Sequence, residues 1–197
     1  MLDLFYTIFD IFKENFYWQL IWLIAFIVSI YNFLFCKNKK FIFFTMVASL
    51  VWWIHFYSIG LIAAALINFV DVTKNALALK YEKSNKIVIS YVVLYVIIWF
   101  ITYDWLVTII PTLTALLGTY LVFYVRWVKL NIGFMFVIIL WSIYNFLWHS
   151  IGWLATDITL FITGTIWILK IIISDKKQRK KEIKKEAKNI KKEIEII

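Results

Sequence analysis

The stretch WSIYNFLWHSIGWLATDITLFITGTIWILKIII, residues 141–173, sets two apolar runs on either side of Ser150-Ile151-Gly152 and reads as a membrane hairpin. The same tripeptide stands 92 residues earlier, at Ser58-Ile59-Gly60. At that offset Lys37 falls on Lys129, Phe44 on Phe136, Ala63 on Ala155, Phe69 on Phe161, Thr73 on Thr165 and Leu77 on Leu169, without a gap. The shared turn, the shared basic flank and the matching hydropathy boundaries point to an internal duplication. A repeat of this size governs the fold reading. In a membrane protein it points to transporter-like architecture.

Composition supports the membrane setting. Of the 197 residues 63% are hydrophobic and 20% aromatic, too apolar for a soluble domain of this length. With one proline and five glycines there is little loop, so most of the chain must be regular. Lipid offers backbone amides no partner, which leaves helices or a closed barrel. Apolar runs of about 17 to 21 residues without alternation select helices. The single cysteine, Cys36, excludes an intrachain disulfide and any cysteine-cluster metal site, and reads as a small lining residue at a span end.

From the hairpin outward, the chain divides into seven expected spans: 16–35, 41–57, 61–79, 87–103, 105–125, 131–148 and 153–173. Residues 1–15 place Leu2, Phe5, Phe9 and Phe12 on one face and read as an interfacial helix rather than a secretory signal. Residues 16–79 form one three-helix repeat, 80–104 a linker loop and helix, and 105–173 the second repeat. Because the linker crosses once, the repeats enter the membrane in the same sense. The expected fold is therefore an all-α polytopic membrane protein with two parallel three-helix repeats joined by a linker helix.

Charge tests that count. Threading seven spans places loops 36–40, 80–86 and 126–130 and the tail on one face, with 18 of the 21 basic residues. Lys13, Asp3, Asp10, Glu14 and Asp104 fall on the other. The positive-inside rule makes the basic face cytoplasmic and the N-terminus external. The tail, 174–197, is dense in Lys and Glu, with Ile183, Ala187, Ile190, Ile194 and Ile197 on a narrow helical seam. A solvated extension, a helix on anionic lipid and a coiled-coil contact with a protein helix all fit it. No nucleic-acid reading module accompanies the net charge of +9, so nucleic acid is not an expected partner.

Several residues are placed to carry chemistry. Ser49, Trp52, Trp53 and Phe56 share one helical face, and at the 92-residue offset they fall on Trp141, Tyr144, Asn145 and Trp148. Such faces suit either a sandwiched sugar, base or other planar solute, or packing near the lipid headgroups. Asn68 and Asp71 lie on a polar stripe of the third span, with Asp71 near mid-membrane. A carboxylate there must be paired, hydrated or protonated. Lys74 is in reach, and both a structural pair and a solute-facing Asp71 fit. Asp157, near the start of the seventh span, reads as a helix-capping carboxylate. His55 and His149 suit either a structural hydrogen bond or proton sensing. Pro111 removes a backbone bond from the fifth span and reads as a hinge. No nucleophile–base pair, phosphate-cradling glycine loop or metal spacing is present, so neither an enzyme nor a cofactor is expected.

Asn145-Phe146-Leu147-Trp148 with Ser150-Ile151-Gly152, Pro111 and Gly118-Thr119-Tyr120 before it, and His55-Phe56 and Gly60 earlier, resemble the bacterial inner-membrane protein family typified by YgjV. The resemblance covers about residues 17–175 and implies an inner-membrane location. The three-one-three plan is similar to that of the SWEET sugar facilitators. That likeness implies a hinge at Pro111, matched by Gln19 rather than proline in the first repeat. It also implies solute-facing roles for Asn68 or Asp71 and for the Trp52 and Tyr144 positions. The family pattern tends to Asn and Arg where this chain has Asp71 and Lys74. The expected function is a carrier for a small polar or planar solute of the sugar, nucleoside or vitamin-precursor class, with an oligomer compatible. A membrane-anchored interaction module acting through its tail is the alternative.

Overall fold

A computed structural model of the chain describes residues 16–103, 109–126, 128–147 and 151–194. The regular structure of the described residues is seven helices: α1 Phe16–Phe35, α2 Asn38–Ser58, α3 Ile62–Lys80, α4 Asn85–Ile101, α5 Ile109–Tyr124, α6 Val128–Leu147 and α7 Ile151–Ile194. Each follows one of the expected apolar runs. The expected interfacial helix at 1–15 and Asp104 lie outside the described residues.

Four helical stretches are long and apolar enough to cross a bilayer: α2, α3, α6 and the part of α7 from Trp153 to Ser174. At about 1.5 Å per residue, some 20 residues match a hydrocarbon core of about 30 Å. The stretch Gln19–Phe35 of α1, together with α4 and the described α5, is apolar but shorter. The outer faces of these helices are apolar as well. Ile27 on α1 and Phe100 on α4 are 57% and 68% exposed, as is Phe136 on α6 at 59%. A continuous coat of this kind is a lipid-facing surface, not a water-facing one.

The α2–α3 turn shows why Gly60 is where it is. Leu61 N–H reaches back to Phe56 O at 3.0 Å and Gly60 N–H to Tyr57 O at 3.2 Å. These are the two bonds of a Schellman cap, which needs a left-handed residue. Gly60 supplies it at φ +79. The turn expected at Ser150-Ile151-Gly152 differs: Ile151 and Gly152 already belong to α7, and residues 148–150 lie outside the described residues.

Each helix packs on the next along the chain, and α1 also lies against α7 and α3 against α5. Phe41 of α2 reaches α6, with its ring 5.0 Å from Phe134 and edge-on to it. Around Phe41 a core of Cys36, Ile42, Val122, Phe123 and Leu130 is fully buried, so Cys36 is a core residue and not the expected lining one.

The basic loops gather at this end of the bundle. Glu82 lies 3.7 Å from both Lys39 and Arg126, and Lys83 N–H bonds Phe123 O at 3.2 Å. Lys37 Nζ stands 5.9 Å over the Trp167 ring of α7. Loops that the charge pattern assigns to one face thus touch.

Pro111 is the third residue of the described α5, and residues 104–108 before it lie outside the described residues. The last span and the tail form one helix, since α7 runs unbroken through residue 173 to Ile194.

Candidate functional site

A cavity of about 160 Å³ lies among α1, α2, α3, α6 and α7. The same helical periodicity that gives each helix its lipid face turns a narrow stripe of each inward. From α2 the stripe is Thr45, Ser49, Trp52 and Phe56, and from α6 it is Phe134, Trp141 and Asn145. Asn68 and Asp71 enter from α3, and Trp153, Thr156 and Asp157 from α7. Three pairs of positions 92 apart in sequence line it together: Thr45 with Val137, Ser49 with Trp141, and Asn68 with Leu160.

Of the residues expected to face a solute, Trp52, Asn68, Asp71, Trp141 and Asn145 do line this cavity. Trp53 does not. It turns to the α3 side, its ring 5.1 Å from Phe69. Tyr144 is buried behind the wall, edge-on to Trp141 at 5.5 Å. Trp148 and His149 lie outside the described residues. His55 is buried beside the cavity, between the Trp52 and Trp153 rings at 5.6 Å from each.

The aromatic faces of α2 and α6 meet directly. Phe56 and Trp141 stack 11° from parallel with centroids 6.1 Å apart. A planar solute between two rings needs about 7 Å, twice the carbon–carbon contact distance. The rings therefore fill each other's faces, and a sandwiched solute would have to part them. Trp153 closes on Phe56 edge-on at 5.1 Å.

The two carboxylates of the cavity have different surroundings. Asp71 forms an ion pair with Lys74 and accepts a hydrogen bond from the Tyr95 hydroxyl. Lys74 is buried, with its Nζ 5.6 Å over the Tyr95 ring. The Lys74 partner makes Asp71 one half of a buried ion pair, and Asp71 also reaches the cavity wall.

Asp157 is not a helix cap. It lies in the second turn of α7, buried, and accepts a hydrogen bond from Asn145 Nδ2 at 2.7 Å. A cap would bond free backbone N–H groups at the helix start; here the neighbouring α6 supplies the donor instead. Among the described residues no cation lies within ion-pair distance of Asp157.

Sequence reasoning missed the α1 side. Asn32, 3% exposed, donates from Nδ2 to Thr45 Oγ1 at 2.9 Å, and Ser29 bonds its own helix at Ala25 O. Ser29 and Asn32 stand three apart in an otherwise apolar run, a spacing that was the available signal. Among the described residues there is no group of three or more His, Cys, Asp or Glu able to hold a metal ion.

An apolar helical coat, basic loops drawn to one end and polar groups turned inward describe a helical membrane protein. A family model described as a bacterial inner membrane protein, Imp-YgjV, matches residues 16–174. The chain belongs to that family. The match runs from the start of α1 to the end of the α7 span and leaves out the tail. No curated protein and no solved structure matches the chain.

Proposed function

We propose that the chain is a carrier or facilitator for a small polar solute, which occupies the cavity between the two three-helix repeats. The observation that carries this reading is the cavity itself, where polar and aromatic groups from five helices converge. Solute sites of repeat-built carriers lie at the junction of their repeats. The contacts of α1 with α7 and α3 with α5 exchange under the 92-residue offset, as a two-fold relation between parallel triplets requires. In this reading all seven helices cross the membrane, α4 links the triplets, and the basic end faces the cytoplasm. A carrier is favoured over an enzyme because the residues lining the cavity include no nucleophile–base pair.

The size of the cavity limits the solute. A cavity of roughly 150 Å³ holds benzene, so 160 Å³ suits a molecule of similar bulk and not a disaccharide. Uptake into proteoliposomes and ligand-dependent thermal shifts, screened over sugars, nucleosides and vitamin precursors, test the reading. Ser49→Trp places an indole in the cavity, opposite Trp141. Uptake of any solute found should be lost while the variant still inserts and elutes as the parent does. Uptake unchanged by Ser49→Trp would overturn the cavity as the route.

The continuity of α7 supports a second reading. At about 1.5 Å per residue, the 20 or so residues beyond Ser174 carry the helix roughly 30 Å from the span. Anionic lipid attracts basic residues only within about 10 Å. In a tail that continues the span away from the bilayer, most basic residues lie beyond that reach, which favours a protein helix as its partner. Truncation after Ile173 separates the readings: a carrier keeps uptake, whereas an interaction module loses its cellular effect while still inserting.

A further inference from the structure

We infer that the solute is a small organic ammonium ion, bound through its N–H donors by Asp157 and Asn145 beneath an aromatic wall. This inference rests on the carrier reading and names the class of solute the same cavity takes.

Charge comes first. Among the described residues the lining contains two carboxylates, Asp71 and Asp157, and no lysine, arginine or histidine. Lys74 neutralises Asp71 from outside the lining, and Tyr95 adds a hydrogen bond. Asp157 has no such counter-charge among the described residues and is bonded to the neutral Asn145. A desolvated carboxylate without a cation is costly and draws a cation or a proton into its site. The described lining thus offers an anion no counter-charge, and Asp157 lacks what Lys74 gives Asp71.

Hydrogen bonding makes the class narrower. Asn145 is 5% exposed, and its Oδ1 has no hydrogen-bond partner among the described residues. One N–H of its Nδ2 is donated to Asp157. The carboxylate and the carboxamide oxygen then stand side by side as acceptors. An ammonium group bearing N–H donors satisfies both, whereas a hydroxyl brings one proton and no charge.

The walls then favour an organic body over a bare metal ion. Trp141 lies one helical turn from Asn145, and Trp153 one turn from Asp157, so both indoles neighbour the acceptor pair. Phe56 touches both indoles, and Trp52 stacks on Phe56 at 5.6 Å. Indole faces attract an organic cation and pack against its carbon skeleton. A hard metal ion would want about six oxygens in that space.

Three probes of one size and different charge test this: benzylammonium, benzyl alcohol and benzoate, titrated calorimetrically into the full chain in lipid nanodiscs. Benzylammonium should bind at least tenfold tighter than benzyl alcohol, and benzoate should not bind. Asp157→Asn should bring the amine and the alcohol to within about twofold, while Trp52→Ala should weaken both. Because the charge series on the unaltered protein needs no variant to fold, it decides alone if Asp157→Asn fails to fold. Equal binding of amine and alcohol, or an amine preference that survives Asp157→Asn, overturns the inference. Glucose or uridine binding that Trp52→Ala removes, without any amine preference, would sink the ammonium ion and leave the carrier standing. Amine binding without uptake in proteoliposomes would do the reverse.

Discussion

Replacing Lys74 with methionine removes the counter-charge of Asp71 and keeps most of the side-chain volume. Removing one partner of a buried ion pair costs about 3–5 kcal/mol, chiefly because the other charge stays buried. Asp71 keeps the Tyr95 hydroxyl, and its side chain is 21% exposed at the cavity wall. The loss for Lys74→Met should therefore sit near the low end, about 3 kcal/mol. Asp71→Asn strands an ammonium whose side chain is 3% exposed and whose remaining support is the Tyr95 ring at 5.6 Å. Its loss belongs nearer the high end, about 4–5 kcal/mol. Replacing both charges leaves nothing stranded, and the double variant should return to within about 1–2 kcal/mol of the parent. Unfolding in mixed micelles of rising dodecyl sulfate content, followed by tryptophan fluorescence, measures all four proteins. The cycle should give a coupling of about 3 kcal/mol or more between the sites. If each single change costs under about 1 kcal/mol, or the two costs simply add, the pair is not the neutralised buried unit described above.

Two further outcomes follow from the packing. A Cβ on Gly133 would stand 2.2 Å from Leu121 Cδ2, so Gly133→Ala must push that buried leucine aside where α5 meets α6. The same unfolding assay should show a loss of about 1–3 kcal/mol, and an unchanged midpoint would mean that the helices are further apart. Burial pushes the Cys36 thiol above its usual range, with Lys40 pulling the other way, so little thiolate is present near neutrality. Maleimide should label Cys36 at least ~10-fold more slowly than a cysteine placed at Lys39, whose side chain is 63% exposed; equal rates would put Cys36 at the surface.

The helices were legible because their cause is local. An apolar run of the right length in lipid has no alternative to a helix, and Gly60 punctuates one such run from the next. The cavity was legible in part. An i, i+3, i+4, i+7 stripe covers about 100° of a helix, and the cavity admits less than that. Trp52 therefore enters while Trp53, one residue on, swings round to Phe69. Trp141 and Asn145 enter while Tyr144 is held behind them. Asp157 was misread because its sequence neighbourhood, near a helix start, suggests a cap. The donor it uses comes from Asn145, twelve residues away and on another helix. Asn32 and Thr45 escaped for a related reason: each is bland alone, and what they do is hold each other.

The helix with no counterpart at the 92-residue offset, α4, has a physical reason to be there. Asp71 and Lys74 place two charges midway along α3, reachable from the cavity on one side and near lipid on the other. α4 packs on α3 and α5 and brings Tyr95, fully buried, to the ion pair. The hydroxyl serves the carboxylate and the ring lies under the ammonium. One turn earlier Tyr91 donates to Thr73 at 3.0 Å, while Val93, Ile97 and Phe100 on other faces of α4 are exposed. α4 thus puts a polar edge against the charges and an apolar surface against the bilayer. Gly118 of α5 completes the enclosure, since even a Cβ there would come within 3.4 Å of Lys74 Nζ. At the offset position α7 carries Thr163 instead of Asp71, and that hydroxyl bonds its own helix at Leu160 O, 3.0 Å away. A neutral group satisfied within its own helix can face lipid without cover. A charge pair cannot, and α4 supplies the cover that Asp71 and Lys74 need.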